Sequence, residues 1–593
     1  MLNLLVLAYG LLAAYVGQKA MTYFLSAREA RRFAAASPIP SVSIYSPRDS
    51  TLFWIFSPWL AAIIESLPFN WGHWMLYAKK DFNWLSRGKL PLEEFGSDTY
   101  WTAGPGGVAL WSLDADVVCQ VVHRWKDFPK SAGDYVALAV FGPNVVTTEG
   151  ADWQRHRKIT APPFNEKNSG LVFHQTTIQT KKMLDSFIQD ADGKKSAPGH
   201  EPVVKDLIHW TMTLTLNVIA GASFNIKAAW PTTSVAAESK QSHPSSEEGE
   251  GDMSSSDEKS LPFHNSLTLV MNNIRILIGV PQVILRNSPL RYLTRASDHF
   301  QSYTREMIAA HRAEKSNENN AGDLLGNIVK NSSRDNGVGL SEQETIGNIY
   351  IFMVAGHETS ASTLKTALVL LASDPQIQMQ VQKEIDGIWA TKKVGEELSY
   401  DDYPRMRIIM ALMLEVLRFY PPVVFLPKFS SNSIQTITHE GKTIQIPPMS
   451  RVNLDIVGVQ RNPKYWGSDA QEFRLSRWLM PEDYKPPPDS SNESLAHPNL
   501  LCPRKGAFLA FNSGFRGCLG RKFAQVEFCT LVAVVLKDHS IELVSENGAA
   551  WDETRKKALN AVEDRETGLA MRLRNNVKVR FVRRGAESFP ARG

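Results

Sequence analysis

The residues with the plainest chemical purpose lie near the C-terminus, in Phe511-Asn-Ser-Gly514-Phe-Arg516-Gly-Cys518-Leu-Gly520, just before the helical run Arg521–Leu536. Glycines around a cysteine let the backbone approach a flat ligand and turn its amides toward the sulfur. At a helix N-terminus, amides and dipole favour a thiolate. A thiolate is what a haem iron needs if electron density is to be pushed toward O–O cleavage. Arg516 is placed to pair with a haem propionate. A buried cysteine in a Gly-rich turn is the bland alternative, and it is the default for Cys119 and Cys529. Five fixed positions at this spacing favour Cys518 as the axial iron ligand.

A second constellation is Ala355-Gly356-His357-Glu358-Thr359-Ser360, inside a long helical pattern that opens with the capping box Ser341-Glu-Gln-Glu344 and runs toward Asp374-Pro375. Glu358 and Thr359 offer an acid and a hydroxyl for moving protons. Taken alone, a glycine beside a polar helix face is unremarkable. Glu415-Val-Leu-Arg418 places opposite charges at i and i+3. Trp153-Gln-Arg-His-Arg157 is weak by itself.

Together, in this order, these residues resemble the cytochrome P-450 superfamily, from about residue 90 onward. The resemblance implies a mainly α fold with a small β domain, a helix-rich triangular prism. It also implies haem b, bound with the help of Cys518, Phe511, Gly514, Arg516, Gly520, Trp153 and Arg157. Small Ala355 and Gly356 would leave room for dioxygen, with Glu358 and Thr359 supplying protons. Glu415, Arg418 and Arg477 would form a buried structural triad. This chain has Leu475-Ser476 where the family usually has Pro-Glu, Lys428 where Arg or His is common, and Gln460 in place of a common histidine.

The rest of the chain must hold these groups and deliver substrate and electrons. With 65 basic and 61 acidic residues the net charge is +4, which makes no case for nucleic acid binding. Four cysteines are too few for a disulfide scaffold. Residues 1–18 carry no charge, and Lys19, Arg28, Arg31 and Arg32 follow. That pattern predicts a single transmembrane anchor at the endoplasmic reticulum, with the catalytic part cytosolic. A cleaved signal peptide is disfavoured, because no basic residue precedes the apolar run. Residues 19–89 read as a basic flank and membrane-proximal linker, and 90–593 as the catalytic domain. Within 50–64, Phe53, Trp54, Phe56 and Trp59 suit either a membrane interface or a buried segment. Residues 231–260, with seven acids against Lys240 and Lys259, read as a disordered insertion, and 481–504 as a loop insertion. Arg405–Tyr420 reads as a helix stopped by Pro421-Pro422, and Ser433–Ile446 as a hairpin turning at Glu440-Gly441.

Only 75 residues follow Cys518, too few for flavin and nicotinamide domains. NADPH-derived electrons are therefore expected from a separate reductase, with cytochrome b5 as a further partner and Arg521 and Lys522 as candidate contacts. Three readings compete: a monooxygenase, an isomerase or dehydratase that needs no reductase, and a non-catalytic haem sensor. The Glu358-Thr359 pair favours the first. By analogy the substrate meets Lys130–Asn144, Leu261–Leu285, the start of the long helix and Val423–Pro427, including Phe141, Phe263, Val423, Val424 and Phe425. A lipophilic small molecule of secondary metabolism fits, and the insertions resemble those of fungal microsomal members.

Overall fold

The structure is a computed structural model and describes residues 2–46, 60, 63–68, 72–79, 82–188, 203–226, 230, 263–313, 324–332, 339–481, 483–487, 499–546 and 548–588. The insertion 231–260, most of 50–64 and half of 481–504 lie outside these residues. The helices that position chemistry are, in chain order, α1 (Leu2–Ala36), α2 (Ala115–His123), α3 (Gly150–Thr160), α4 (Glu166–Ile188), α5 (Leu207–Phe224), α6 (Glu342–Ser373), α7 (Arg407–Phe419) and α8 (Arg521–Asp538). The strands are β1 (Ser41–Ser43), β2 (Thr99–Gly104), β3 (Gly107–Ser112), β4 (Phe425–Phe429), β5 (Gln435–His439), β6 (Lys442–Ile446), β7 (Arg451–Asp455), β8 (His539–Leu543), β9 (Arg565–Thr567), β10 (Met571–Leu573) and β11 (Val579–Arg583). Mostly helix with small sheets is the architecture expected from the sequence.

The chain forms two units. The first comprises Met1–Ser131, Leu414–Cys518 and Glu566–Met571. Its core is the mixed sheet β1-β2-β3-β7-β4. Val452 and Leu454 of β7 point into a cluster with Leu110, Val118, Val121 and Leu509. On α1, Ala27, Ala30 and Ala34 recur on one face and are buried. Phe33 meets Trp101 of β2 edge-on at 5.6 Å, and the Trp101 indole N–H donates to Ser37 Oγ at 2.9 Å. The helix runs past residue 18, the expected end of the anchor, unbroken to Ala36, and its second half packs on the sheet. Trp74–Ala78, Phe82–Ser86 and Lys89–Phe95 are short helices, and Tyr77, Phe82 and Trp84 on them are buried. The β5–β6 hairpin turns on Glu440 (φ 48°) and Gly441 (φ 75°), the left-handed pair that two-residue hairpins require.

The second unit comprises Ala132–Met413, Leu519–Arg565 and Arg572–Gly593. Its axis is α6, a 32-residue helix opened by the expected capping box: Glu344 N–H donates to Ser341 Oγ, and Ser341 N–H to the Glu344 carboxylate. α5 packs against α6, and the Thr215 hydroxyl donates to the His357 carbonyl at 3.0 Å. α5 is the described helix long and apolar enough to cross a membrane, yet 72% of it is buried inside the unit, which makes it a core helix. β8 and β11 pair antiparallel.

Candidate active site

In the first unit, the cysteine loop is held by its own backbone. Cys518 N–H donates to the Phe511 carbonyl at 2.8 Å, and Gly517 N–H to Gly514 O at 3.0 Å. Asn512 (φ 57°) and Gly514 (φ 65°) take the left-handed turns that coil the loop. A Cβ on Gly514 would lie 3.4 Å from the Val122 carbonyl of α2, so glycine serves both a conformation and a close approach. Ala507 and Leu509, just before the loop, are fully buried, whereas every residue from Phe511 to Gly520 is half-buried or exposed. Cys518 is the exposed cysteine of the four. Burial pushes the thiols of Cys119, Cys502 and Cys529 up, away from the thiolate. Cys518, the cysteine that the sequence singles out, is thus also the most exposed of the four.

Behind the loop, Glu415 and Arg418 are wholly buried. Arg418 Nε and Nη2 donate to the two Glu415 oxygens at 2.8 and 2.9 Å. The remaining guanidinium protons go to the carbonyls of Gln460, Ala470 and Glu472. Glu415 also accepts from Arg474 N–H at 2.8 Å and from the Trp478 indole at 2.9 Å. Arg477 lies 3.7 Å from Glu415 but makes its hydrogen bonds to Asp469 and the Trp466 carbonyl. The third direct side-chain partner is thus Trp478, one residue beyond Arg477, which sequence reasoning missed. Gln460 donates to Leu417 O and Arg418 O and accepts from Leu509 N–H, tying the end of α7 to the approach of the loop. Lys428 is buried in β4.

In the second unit, α6 is buried along its length from Thr345 to Ser373 except at Phe352, Ala355, Gly356 and Thr359. These stand at i, i+3, i+4 and i+7, one open strip on an otherwise covered helix. The Thr359 hydroxyl donates to Ala355 O at 2.8 Å, which leaves its oxygen as an acceptor. Glu358 lies on the buried flank beside the strip. His357 is buried, and burial lowers its pKa to about 4, so it is neutral. A Cβ on Gly356 would meet Ile219 Cδ1 at 2.2 Å. Its smallness therefore also serves the packing of α5, beyond the expected room for dioxygen.

Trp153 is buried on α3, with the Arg157 guanidinium 5.9 Å from its ring centre. The residues between them, overlooked in the sequence, lock α3 to α6. Arg155 pairs bidentately with Glu344 at 2.6 and 3.0 Å, and His156 reaches Glu344 and Asn348. The Arg155 hydrogen bonds lower the Glu344 pKa to about 2. Phe141 and Phe263 pack on Phe300, at 4.7 and 5.6 Å, in one apolar cluster where Phe141 is buried and Phe263 half-buried. In the first unit Val423 is exposed, Val424 is buried, and Phe425 packs 5.5 Å from Trp111. Lys522 sits 4.4 Å over the Tyr403 ring, engaged inside its own unit.

An exposed cysteine in a glycine-coiled loop, in the first unit, is the kind of group a haem-thiolate protein uses to hold its iron. The cytochrome P-450 family profile matches residues 93–561, and the chain belongs to that family. It is 25% identical to a cytochrome P450 monooxygenase of Arthrobotrys oligospora over 98% of both chains. It is 27% identical to the phomenoic acid biosynthesis cluster cytochrome P450 monooxygenase of Leptosphaeria maculans, over 78% of this chain and 77% of that one. The crystal structure of the cytochrome P450DA heme domain superposes with a TM-score of 0.62 at 19% identity, covering 86% of this chain and 95% of that one.

Proposed function

We propose that this protein is a membrane-anchored monooxygenase that inserts one oxygen atom of dioxygen into a lipophilic small molecule, with NADPH-derived electrons from a separate reductase. The observation that carries it is the strip Phe352, Ala355, Gly356 and Thr359 on a helix otherwise buried from Thr345 onward, with Glu358 at its edge.

The residues present fit a haem. Cys518 is an exposed cysteine, and Arg516, Trp153 and Arg157 are the groups suited to the haem propionates. Haem b, when bound, supplies reductive activation of dioxygen. The chain's own residues do the rest. Ala355 presents only a methyl group to the strip. Thr359, its proton committed to Ala355 O, offers an oxygen that accepts and orients a protonated partner. Glu358, buried at the edge of the strip and away from bulk water, is placed to pass a proton to that oxygen.

An isomerase or dehydratase that rearranges its substrate without external electrons has no use for an acid–hydroxyl pair, and neither does a haem sensor. The exposed apolar side chains of Leu11, Tyr15, Val16, Met21, Phe24 and Leu25 on α1 support anchoring in the endoplasmic reticulum membrane. Fungal monooxygenase relatives, one from a biosynthesis cluster, support secondary metabolism as the setting. Cytochrome b5 is a further electron donor consistent with this setting. The test is reconstitution in membranes with purified reductase, screening lipophilic compounds for NADPH-dependent oxygenated product. Product formation without NADPH or reductase would establish the isomerase reading instead.

A further inference from the structure

In the first unit, the inner face of the β5–β6 hairpin ends on a buried histidine. Along β5, Gln435, Ile437 and His439 alternate inward, while Thr436 and Thr438 face water. Ile437 joins the apolar core, and His439, 3% exposed, closes the row. Its neighbour Thr438 is tied to α2 at both backbone groups. The Thr438 N–H donates to Gln120 Oε1 at 2.9 Å, and the Thr438 carbonyl accepts from Gln120 Nε2 at 2.7 Å. Asp98, 5% exposed, stands just before β2, its carbonyl accepting from Leu113 N–H at 2.9 Å. Fixed backbone therefore presents both side chains.

His439 Nε2 lies 3.4 Å from Asp98 Oδ1 and 4.0 Å from Glu440 Oε2. With one ligand atom from each residue, all three atoms lie within 4.8 Å of one another. A charge-assisted hydrogen bond would be about 2.7–2.9 Å long, so 3.4 Å is open for a settled ion pair. The other ring nitrogen, Nδ1, is buried and has no hydrogen-bond partner among the described residues. No bond ties the ring proton to either nitrogen, and Nε2 can offer its lone pair. Asp98 is no better served. The Thr99 hydroxyl is 3.5 Å from its Oδ1, and Lys464 is 3.5 Å from its Oδ2 but 2.8 Å from Asp114. The charges that face Asp98 are Asp114, Glu440, Lys464 and His439, so three carboxylates share one lysine and one histidine.

Ligand atoms about 2.0–2.2 Å from one tetrahedral ion stand roughly 3.3–3.6 Å apart. The His439–Asp98 spacing is that of two ligands of a common ion. Glu440, in the turn at φ 48° with its side chain 63% exposed, can close its remaining distance by rotation. One imidazole with two carboxylates suits zinc and its transition-metal neighbours, whereas magnesium and calcium take oxygen.

We propose that Asp98, His439 and Glu440 form a site for a divalent transition-metal ion of the zinc class, with water in the fourth position on the exposed Glu440 side. The ion clips the hairpin to the start of β2. These segments are far apart in the chain, which is where a metal cross-link stabilises most. None of the three residues belongs to the cysteine loop, so the role is structural.

Zinc chloride is the probe, added to the full-length, haem-loaded protein after treatment with chelator and dialysis. Wild type should retain one zinc ion per chain. The zinc X-ray absorption spectrum should show nitrogen and oxygen ligands and no sulfur, which separates this site from any that uses Cys119 or Cys518. Affinity should fall about tenfold in Glu440→Gln and at least about a hundredfold in His439→Asn. If His439→Asn fails to hold haem, Glu440→Gln, a change at an exposed side chain, decides the matter. Zinc should also raise the thermal midpoint of wild type and leave that of His439→Asn where it is. No zinc retained, sulfur in its shell, or an affinity unchanged in Glu440→Gln or His439→Asn overturns the site. Displacement by equimolar magnesium or calcium overturns the zinc class, and a midpoint indifferent to bound zinc overturns the clip.

Discussion

Replacing Glu415 by glutamine keeps the shape of the site behind the cysteine loop and should nevertheless strip most of the protein of haem. The carboxylate accepts four hydrogen bonds, from Arg418 Nε, Arg418 Nη2, Arg474 N and the Trp478 indole, two on each oxygen. Glutamine has one acceptor oxygen, and its amide nitrogen must face two donors. Each buried donor left unsatisfied costs about 1–3 kcal/mol. The Arg418 charge also loses its counter-ion, and breaking a fully buried pair costs roughly 3–5 kcal/mol. Against a folded state worth about 5–15 kcal/mol, that loss is enough to lower the urea midpoint clearly. The assay pairs that midpoint with the yield of the reduced carbon monoxide complex. Arg477→Ala is the informative comparison, because Arg477 is 3.7 Å from Glu415 and is held mainly by Asp469. It should cost less than Glu415→Gln, and less than Trp478→Phe costs in yield of carbon monoxide complex. If Arg477→Ala proves the most damaging of the three, Arg477 is the principal third member and the hydrogen-bond accounting is wrong.

Cys518→Ala should abolish the red-shifted band of the reduced carbon monoxide complex, while Cys119→Ala and Cys529→Ser keep it; an intact band in Cys518→Ala would place the ligand elsewhere. Thr359→Ala should load haem and consume NADPH but yield more peroxide and less product per NADPH, measured by paired titration; wild-type coupling would remove Thr359 from the chemistry. Glu344 has a folded pKa near 2 against an ordinary 4.5, so its stabilisation is complete above pH 4.5 and is lost as pH falls through 2. That difference is worth about 2–3 kcal/mol after allowance for partial exposure. The acid-side fall in urea midpoint should flatten in Glu344→Gln, and an unchanged acid transition would refute the brace between α3 and α6.

Local signals were legible in the sequence where one short segment contains the whole cause. The capping box at Ser341–Glu344, the Glu440-Gly441 turn and the stop of α7 at Pro421 each depend on residues within a few positions of one another. The cysteine loop was legible for the same reason. Trp478 as a partner of Glu415 was not, because 63 residues separate them and only the folded unit brings the indole to the carboxylate. Arg155 and His156 were hidden in a motif whose two named residues drew attention away from its middle. The continuation of α1 was readable and overlooked: no Gly or Pro interrupts 18–36, and Ala27, Ala30 and Ala34 recur at helical spacing. The open strip on α6 was half legible, since Ala355, Gly356 and Thr359 were singled out while Phe352 was not.

The unbroken α1 has a mechanical consequence. At 35 residues it is a rod of about 52 Å, clamped at one end by Ala30, Ala34 and Trp101 and exposed from Ala13 to Leu25. A rod without a hinge transmits torque, so whatever holds the outer half sets the roll and tilt of the sheet it is clamped to. One alanine inserted after Gln18 turns the outer half by about 100°, and seven return nearly the original face. Orientation in a bilayer should therefore vary with the phase of the insertion and not only with its length, and two glycines at the same point should uncouple the halves altogether.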